Sequence, residues 1–435
     1  MKIVNVRSWI PHWLTFLVVL FAAGISRNPT FAEEAWLSIP IQSKIEVPEP
    51  GTGLVVWDDN EDHFQSPAIQ LEYSYVQYSD VMVGPSQYDW TLLEKKMDAI
   101  ASRKHQAVLR FYDTYVGKPT GVPEWVRKLP DYKEQKGKSE GKMTSFPDWS
   151  NATYQKEVLE FFKMFAKRYD NDPRIAYLQV GFGLWSEYHI YEGIMKLGET
   201  FPSKEYQANF LQFMDSHFEQ LPWMISIDAA DEESTPIVEQ PELLKLRFGL
   251  FDDSFLAKEH PKVNAVNWRA FGSDRYLNYP CGGEFSYYNN NDQRNALAPN
   301  GPNGMSFEAA LKQFHLSFII ASDQFTYQKL PRLLEASKAM GYSLRLESLE
   351  KQTNEVRATF VNQGVAPVYF EAYLTVDGVR SKESLKNLQP GKSRILQLTL
   401  ASEVASKISD NQSLISITSD RLLPGVTIPF AADIK

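Results

Sequence analysis

Hydrophobic and polar positions fall into three successive rhythms along the chain. Near the N-terminus an uncharged apolar run, Trp13 to Gly24 (WLTFLVVLFAAG), follows Lys2 and Arg7. From Leu71 the pattern alternates between strand and helix. LEYSYVQ (71–77) reads as a strand, and Asp89-Trp90 opens an amphipathic helix with Leu92, Leu93, Met97 and Ile100 on one face. QAVLRFY (106–112) is the next buried strand, completing a β-α-β unit. FPDWS (146–150) predicts a short third strand and its exit. A helix over 151–169 follows, with Val158, Phe161, Phe162 and Phe165 on one face, and a fourth strand starts at Ile175. The alternation continues through WMISID (223–228), RFGLFD (247–252), the stretch 280–285 and FHLSFIIA (314–321) as strands five to eight. Eight strands alternating with helices predict a (β/α)8 barrel of the α/β class, ending near Met340.

After Gly341 the period becomes two: YSLRLES, NEVRATFV, VYFEAYLTV, SRILQLTL and SLISIT, separated by turn signals at Asn362-Gln363-Gly364, Asp377-Gly378 and Pro390-Gly391. This predicts an antiparallel β-sandwich over 341–435. The segment 33–70, rich in proline and acidic residues, is expected to lead into the barrel and cover its bottom or rim, making 33–340 the barrel region. The basic start, the apolar run and the small residues of Thr30-Phe31-Ala32 together read as a signal peptide over 1–32, which implies a secreted or periplasmic protein. That run is short for a membrane span, and no other stretch approaches spanning length.

Composition narrows the partners. At 435 residues with 43% hydrophobic content, the chain can bury a full core. A net charge of −9 argues against nucleic acid or an anionic membrane. Cys281 is the only cysteine, so no intrachain disulfide forms, and it reads as a small residue packed near a strand end. Seven scattered histidines offer no zinc-type spacing, and the acidic cluster Asp58, Asp59, Glu61, Asp62 lacks a calcium-loop pattern, so neither a metal nor a cofactor is expected.

Two stretches share one grammar. In IAYLQVGFGLWSEYH (175–189) a buried strand breaks at Gly181-Phe182-Gly183 and runs out into Glu187 among aromatics. In YPCGGEFSYY (279–288) glycines again precede a glutamate, Glu284, followed by aromatics. Carboxylates at strand exits of a barrel sit where barrel chemistry is done, and a pair of them points to glycoside hydrolysis. Trp57, Trp125, Trp149, Trp185, Tyr287 and Tyr288 are candidate sugar platforms, with core packing the equal alternative for each. Asp148, Asp228 and Asp253 stand at expected strand exits as further cleft residues.

Several of these stretches resemble clan A of the glycoside hydrolases, in particular the β-galactosidase-like barrels. They are QYDWTLLEKKMDAIASRKHQAVLRFY, the PEW of the second loop, LQVGFGLWSEYH and the GGE of the seventh strand. RFGLFDDSFLA, YPCGGE, FHLSF and MGYSLRLES are similar, in that order, to exported bacterial proteins that fuse such a barrel to a C-terminal β-sandwich. The resemblance covers Leu71 to Val376. It implies a secreted retaining glycosidase with Glu187 as acid/base and Glu284 as nucleophile, acting on a polysaccharide or oligosaccharide. It also implies that Arg110, ending strand two, keeps Glu284 ionised. From the neighbouring residues themselves, burial against Trp185 and Tyr188 is expected to raise Glu187. Clan members carry asparagine where this chain has Ser186, a shorter group with fewer hydrogen bonds to offer a sugar hydroxyl. Ser186 therefore keeps a second expectation open, a carbohydrate-binding or cell-envelope protein without turnover. Sugar, linkage, endo or exo action and oligomeric state are not written in the sequence.

Overall fold

The computed structural model describes residues 35–408 and 412–435. The expected signal segment, 1–32, lies outside the described residues. Among the described residues no helix is long and apolar enough to cross a membrane.

Eight parallel strands close into a barrel: Gly53–Trp57, Ile69–Gln77, Gln106–Tyr112, Ile175–Gln179, Trp223–Ser226, Phe248–Phe255, Cys281–Phe285 and Phe318–Ile320. Strands five to eight come in the expected order, but the start of the barrel differs from the sequence reading. Its first strand is Gly53–Trp57, which the periodicity left inside the lead-in because Leu54, Val55 and Val56 form an unbroken apolar run too short to show a period. The stretch 146–150 is not a barrel strand. Lys142–Phe146 instead pairs antiparallel with Gln135–Ser139, a hairpin in the loop after the third strand. The two errors offset each other, so Ile175–Gln179 and Cys281–Phe285 are strands four and seven, as the resemblance implied, while Arg110 lies on strand three rather than two.

Alternation along the strands produces two cores. Residues facing inward, among them Val55, Leu71, Tyr73, Val108, Tyr177, Phe251 and Phe318, fill the barrel. Residues facing outward meet the helices, as Phe111 does against Phe161, Phe162 and Phe165. Phe161, Phe162 and Phe165 share one face of the helix Ala152–Tyr169, whose start is capped by Asn151 accepting from the Tyr154 amide at 3.0 Å. On the helix Thr91–Ser102, Leu93, Met97 and Ile100 are buried, but Leu92 is exposed. Gly282 is required by packing: a Cβ there would meet the Phe318 ring at 2.4 Å inside the barrel.

A third core holds the C-terminal sheets together. One sheet orders Ser393–Thr399, Glu355–Asn362, Leu344–Gln352, Ala431–Ile434 and Ile41–Ser43, with Leu37–Ser38 also pairing to Leu344–Gln352. The other joins Val379–Arg380, Tyr373–Val376 and Ile415–Thr418. The ladders are antiparallel except for Leu344–Gln352 with Ala431–Ile434, which run parallel. The lead-in is thus split. Its first residues are strands of the C-terminal sheet, and Pro48–Gly53 feeds the barrel. The sheets join the barrel at the strand N-termini. Tyr342 donates to the Pro50 carbonyl at 2.9 Å, and Arg421 donates to the Ile175 carbonyl at 2.9 Å. This leaves the C-terminal ends of the strands, where Glu187 and Glu284 emerge, on the opposite side.

Candidate active site

The segment after strand four is folded tightly on itself. Ser186 and Glu187 amides donate to Gly183 and Leu184 carbonyls, and Leu184 and Tyr188 amides donate to His189 and Phe182 carbonyls. Trp185, Ser186 and Tyr188 adopt φ of +52°, +61° and +66°, the left-handed region that side-chain-bearing residues avoid at a cost of roughly 1–2 kcal/mol each. A Cβ on Gly181 would lie 2.0 Å from the Ser186 carbonyl oxygen, so this position admits only glycine. Ser186 anchors the loop, its Oγ donating to the Phe111 carbonyl of strand three at 2.8 Å. The strained turn delivers Glu187 and His189 to the barrel mouth.

Glu187 is buried and accepts a hydrogen bond at Oε1 from Arg110 Nη1. Arg110, itself only 2% exposed, is held from several sides. Its Nε donates to Gln179 Oε1 at 2.8 Å, and Nη1 donates to Tyr75 Oη and the Trp185 carbonyl, each at 3.2 Å. Its guanidinium also stands 4.6 Å from the Phe251 ring centroid. On the far side Glu187 shares a hydrogen bond with Asp253, which emerges from strand six. Burial is the largest influence raising Glu187, the Asp253 carboxylate adds to it, and Arg110 pulls the other way. Asp253 is raised in turn by burial, and the hydrogen bond between the two raises Glu187 while it lowers Asp253. Its neighbour Asp252 faces the other way, into the helix layer, accepting from Trp268 Nε1 at 2.8 Å and Asn264 Nδ2 at 2.7 Å.

Glu284 lines the mouth from strand seven. Burial pushes its carboxyl up to about 8, with Arg110 opposing and Asp253 and Asp323 reinforcing. The sequence expectation that Arg110 keeps Glu284 ionised is therefore corrected on two counts. The direct hydrogen bond goes to Glu187, and for Glu284 desolvation outweighs the guanidinium.

Aromatic rings edge the mouth. Trp57 stacks on Tyr75 at 5.8 Å, Tyr75 meets Tyr115 edge-on at 5.8 Å, and Tyr115 meets Trp185 at 5.9 Å. Tyr287, 45% exposed, hydrogen-bonds to Trp57 and feels the charge of Glu284. Trp57, Trp185 and Tyr287 thus gather with the two glutamates. Other expected substrate contacts lie elsewhere. Trp149 is 1% exposed and wedged among Tyr154, Phe182 and Tyr206, leaving no face for a sugar. Tyr188 packs on Phe182 and is equally buried. The Ser186 hydroxyl is buried and donates its proton to the Phe111 carbonyl. Asp148 accepts from the Lys133 amide at 2.8 Å and the Ser150 amide at 3.1 Å, fixing a loop. Trp125, on the short helix Glu124–Arg127, donates to the Met82 carbonyl at 3.2 Å and packs on the outer core. Cys281 is buried at the start of strand seven, and burial pushes its thiol up to about 12, so it stays a thiol.

The sequence reading passed over Tyr73, Tyr75, Gln179 and His189. Tyr73 donates to Gln179 Oε1, so the ring, the amide and Arg110 form one interior layer below the glutamates. Tyr73 and Tyr75 were visible as inward positions of an alternating strand. His189 stood two residues after Glu187, and its partner Asp228 had been singled out at the exit of strand five. His189 Nδ1 lies 2.8 Å from Asp228 Oδ2.

No family model and no curated protein matches this chain. Solved structures with a similar course of chain include an α-galactosidase of glycoside hydrolase family 36 from Geobacillus stearothermophilus, at 10% identity and a TM-score of 0.37, covering 80% of this chain and 55% of that one. A family 5 glycoside hydrolase from Streptomyces cattleya, solved with Manb1-4GlcNAc, aligns at 11% identity and a TM-score of 0.40 over 63% of this chain and 70% of its own. A thermostable xylanase mutant from Cellvibrio japonicus gives 11%, 0.39, 63% and 86% for the same measures. The chain spans about half the length of the first of these. Likeness at this level carries no argument about activity.

Proposed function

We propose that the protein is an exported glycoside hydrolase that cleaves a polysaccharide or oligosaccharide with retention of configuration, using Glu187 and Glu284. The observation that supports this reading best is the meeting of a buried and a partly buried carboxyl group, from the exits of strands four and seven, around one immobilised guanidinium in an aromatic-edged barrel mouth. Glu187, its carboxyl raised by burial and by Asp253, is suited to deliver a proton to a leaving oxygen. Glu284 attacks the anomeric carbon once ionised. The glycosyl-enzyme ester is then hydrolysed by water that Glu187 deprotonates. The rings of Trp57, Trp185 and Tyr287 offer stacking faces for sugars.

One observation favours the opposite division of labour. Arg110 contacts Glu187, and a permanent cation on a carboxylate suits the nucleophile. Single variants assayed on glycosides with activated leaving groups decide between the two. The acid/base variant to alanine should still form the glycosyl-enzyme from such substrates, stall there and be relieved by azide. The nucleophile variant should be inactive on every substrate. Product of inverted anomeric configuration by NMR rejects retention. A folded wild type that binds glycans and hydrolyses none moves the reading to a carbohydrate-binding protein.

A further inference from the structure

The donors around Glu187 suit more than proton transfer. One ligand atom each from Glu187, His189 and Asp253 lies within 4.8 Å of the other two, the only such histidine-containing group among the described residues. His189 Nδ1 lies 2.8 Å from Asp228 Oδ2, and Asp228 Oδ1 accepts from Asn267 Nδ2 at 3.3 Å. A carboxylate on Nδ1 fixes the proton there and turns the Nε2 lone pair outward, the arrangement in which metal-binding imidazoles are held. His189 Nε2 is buried and has no hydrogen-bond partner. A buried nitrogen in that state calls for a partner, which a water or a metal ion can supply. The Arg110 contact occupies Oε1 of Glu187, and a cation would replace the hydrogen bond that Glu187 shares with Asp253.

We infer that Glu187, His189 and Asp253 form a site for a divalent transition cation, with Asp228 as the residue that orients His189. Glu187, Asp253 and Asp228 together balance a dication and the Arg110 guanidinium, and one imidazole nitrogen biases the choice from calcium and magnesium toward zinc or manganese. Three protein ligands leave positions for water or a sugar hydroxyl. A cation between the close carboxyls of Glu187 and Asp253 relieves the repulsion of two carboxylates at one site. A ligated Glu187 cannot transfer a proton, so on the hydrolase reading above, a bound cation and turnover exclude each other.

The site is tested without any glycan. Chelator-treated full-length protein is titrated with Zn2+, Mn2+ and Ca2+ by calorimetry, beside the His189→Gln, Asp253→Asn, Asp228→Asn and Glu284→Gln variants. The expected result is saturable binding of one Zn2+ or Mn2+ per chain, tighter than Ca2+. Affinity should fall at least tenfold in His189→Gln and Asp253→Asn, and about 10–100-fold in Asp228→Asn. Glu284→Gln should bind within a few-fold of wild type while losing any hydrolytic activity, which separates failure of this inference from failure of the hydrolase reading. Nitrogen coupling in the pulsed EPR spectrum of Mn2+ bound to wild type reports the His189 ligand even if a variant misfolds. Absence of saturable binding, affinity unchanged in the His189 and Asp253 variants, or a bound Mn2+ without nitrogen coupling would each overturn it.

Discussion

Replacing Glu284 by glutamine should stabilise the protein, and by an amount that grows with pH. The native carboxyl keeps its proton up to about 8, whereas an unfolded glutamate releases it near 4.5. Below the lower value both states are protonated and the group contributes nothing to the pH dependence. Between the two values the native state holds a proton that the unfolded chain has lost, so stability falls as pH rises. Each pH unit of this window is worth about 1.36 kcal/mol, which bounds the loss at about 5 kcal/mol above pH 8. Water reaching the partly buried side chain across the cleft trims this to about 3 kcal/mol. Glutamine keeps the shape and removes the titration. Unfolding of wild type and Glu284→Gln is followed by circular dichroism at pH 5, 7 and 9. At about 2.1 cal/mol/K per residue over roughly 400 residues, 3 kcal/mol corresponds to a rise of about 3–4 °C in midpoint. The variant should lead by under about 1 kcal/mol at pH 5, and by most of that 3 kcal/mol at pH 9. A difference that does not change with pH, or that favours wild type more as pH rises, would refute the account of Glu284 as a carboxyl held neutral by burial.

Three further outcomes follow from the same structure. If Glu284 is the nucleophile, turnover should climb about tenfold per pH unit toward pH 8, since Asp253 and Asp323 reinforce and only Arg110 opposes its raised value; a flat pH–rate profile between 5 and 7 counts against that role. Trp149→Ala should lower stability by about 3–5 kcal/mol and leave KM unchanged in the surviving fold, whereas Tyr287→Ala should spare stability and raise KM; denaturant titration and steady-state kinetics on one hydrolysed glycan separate the two. Ile39→Ala should cost about 2–5 kcal/mol in denaturant unfolding, because this residue ahead of the barrel is fully buried in the core of the C-terminal sheets.

Local pattern determined much of this protein. The switch from helix–strand alternation to period two at Gly341 is a change in which side chains face a core, and such changes are written in adjacent residues. Glu187 and Glu284 were legible for a related reason: each follows glycines that end a buried strand, and a parallel strand must deliver its C-terminal end to the barrel mouth. What the sequence could not decide involves partners distant along the chain. Gly53–Trp57 belongs to the barrel only because Phe318–Ile320 and Ile69–Gln77 flank it. Leu37–Ser38 pairs with Leu344–Gln352, a strand some three hundred residues later. Trp149 and Tyr287 are both aromatics in loops, and only packing makes one core and the other cleft wall. Arg110 chose Glu187 over Glu284 through the cage of Gln179, Tyr75 and the Trp185 carbonyl, contributed by strand two and by strand four with its exit loop. Charge and burial at a site depend on three-dimensional neighbours, so the raised carboxyl of Glu284 and the unpaired nitrogen of His189 exist only in the folded chain.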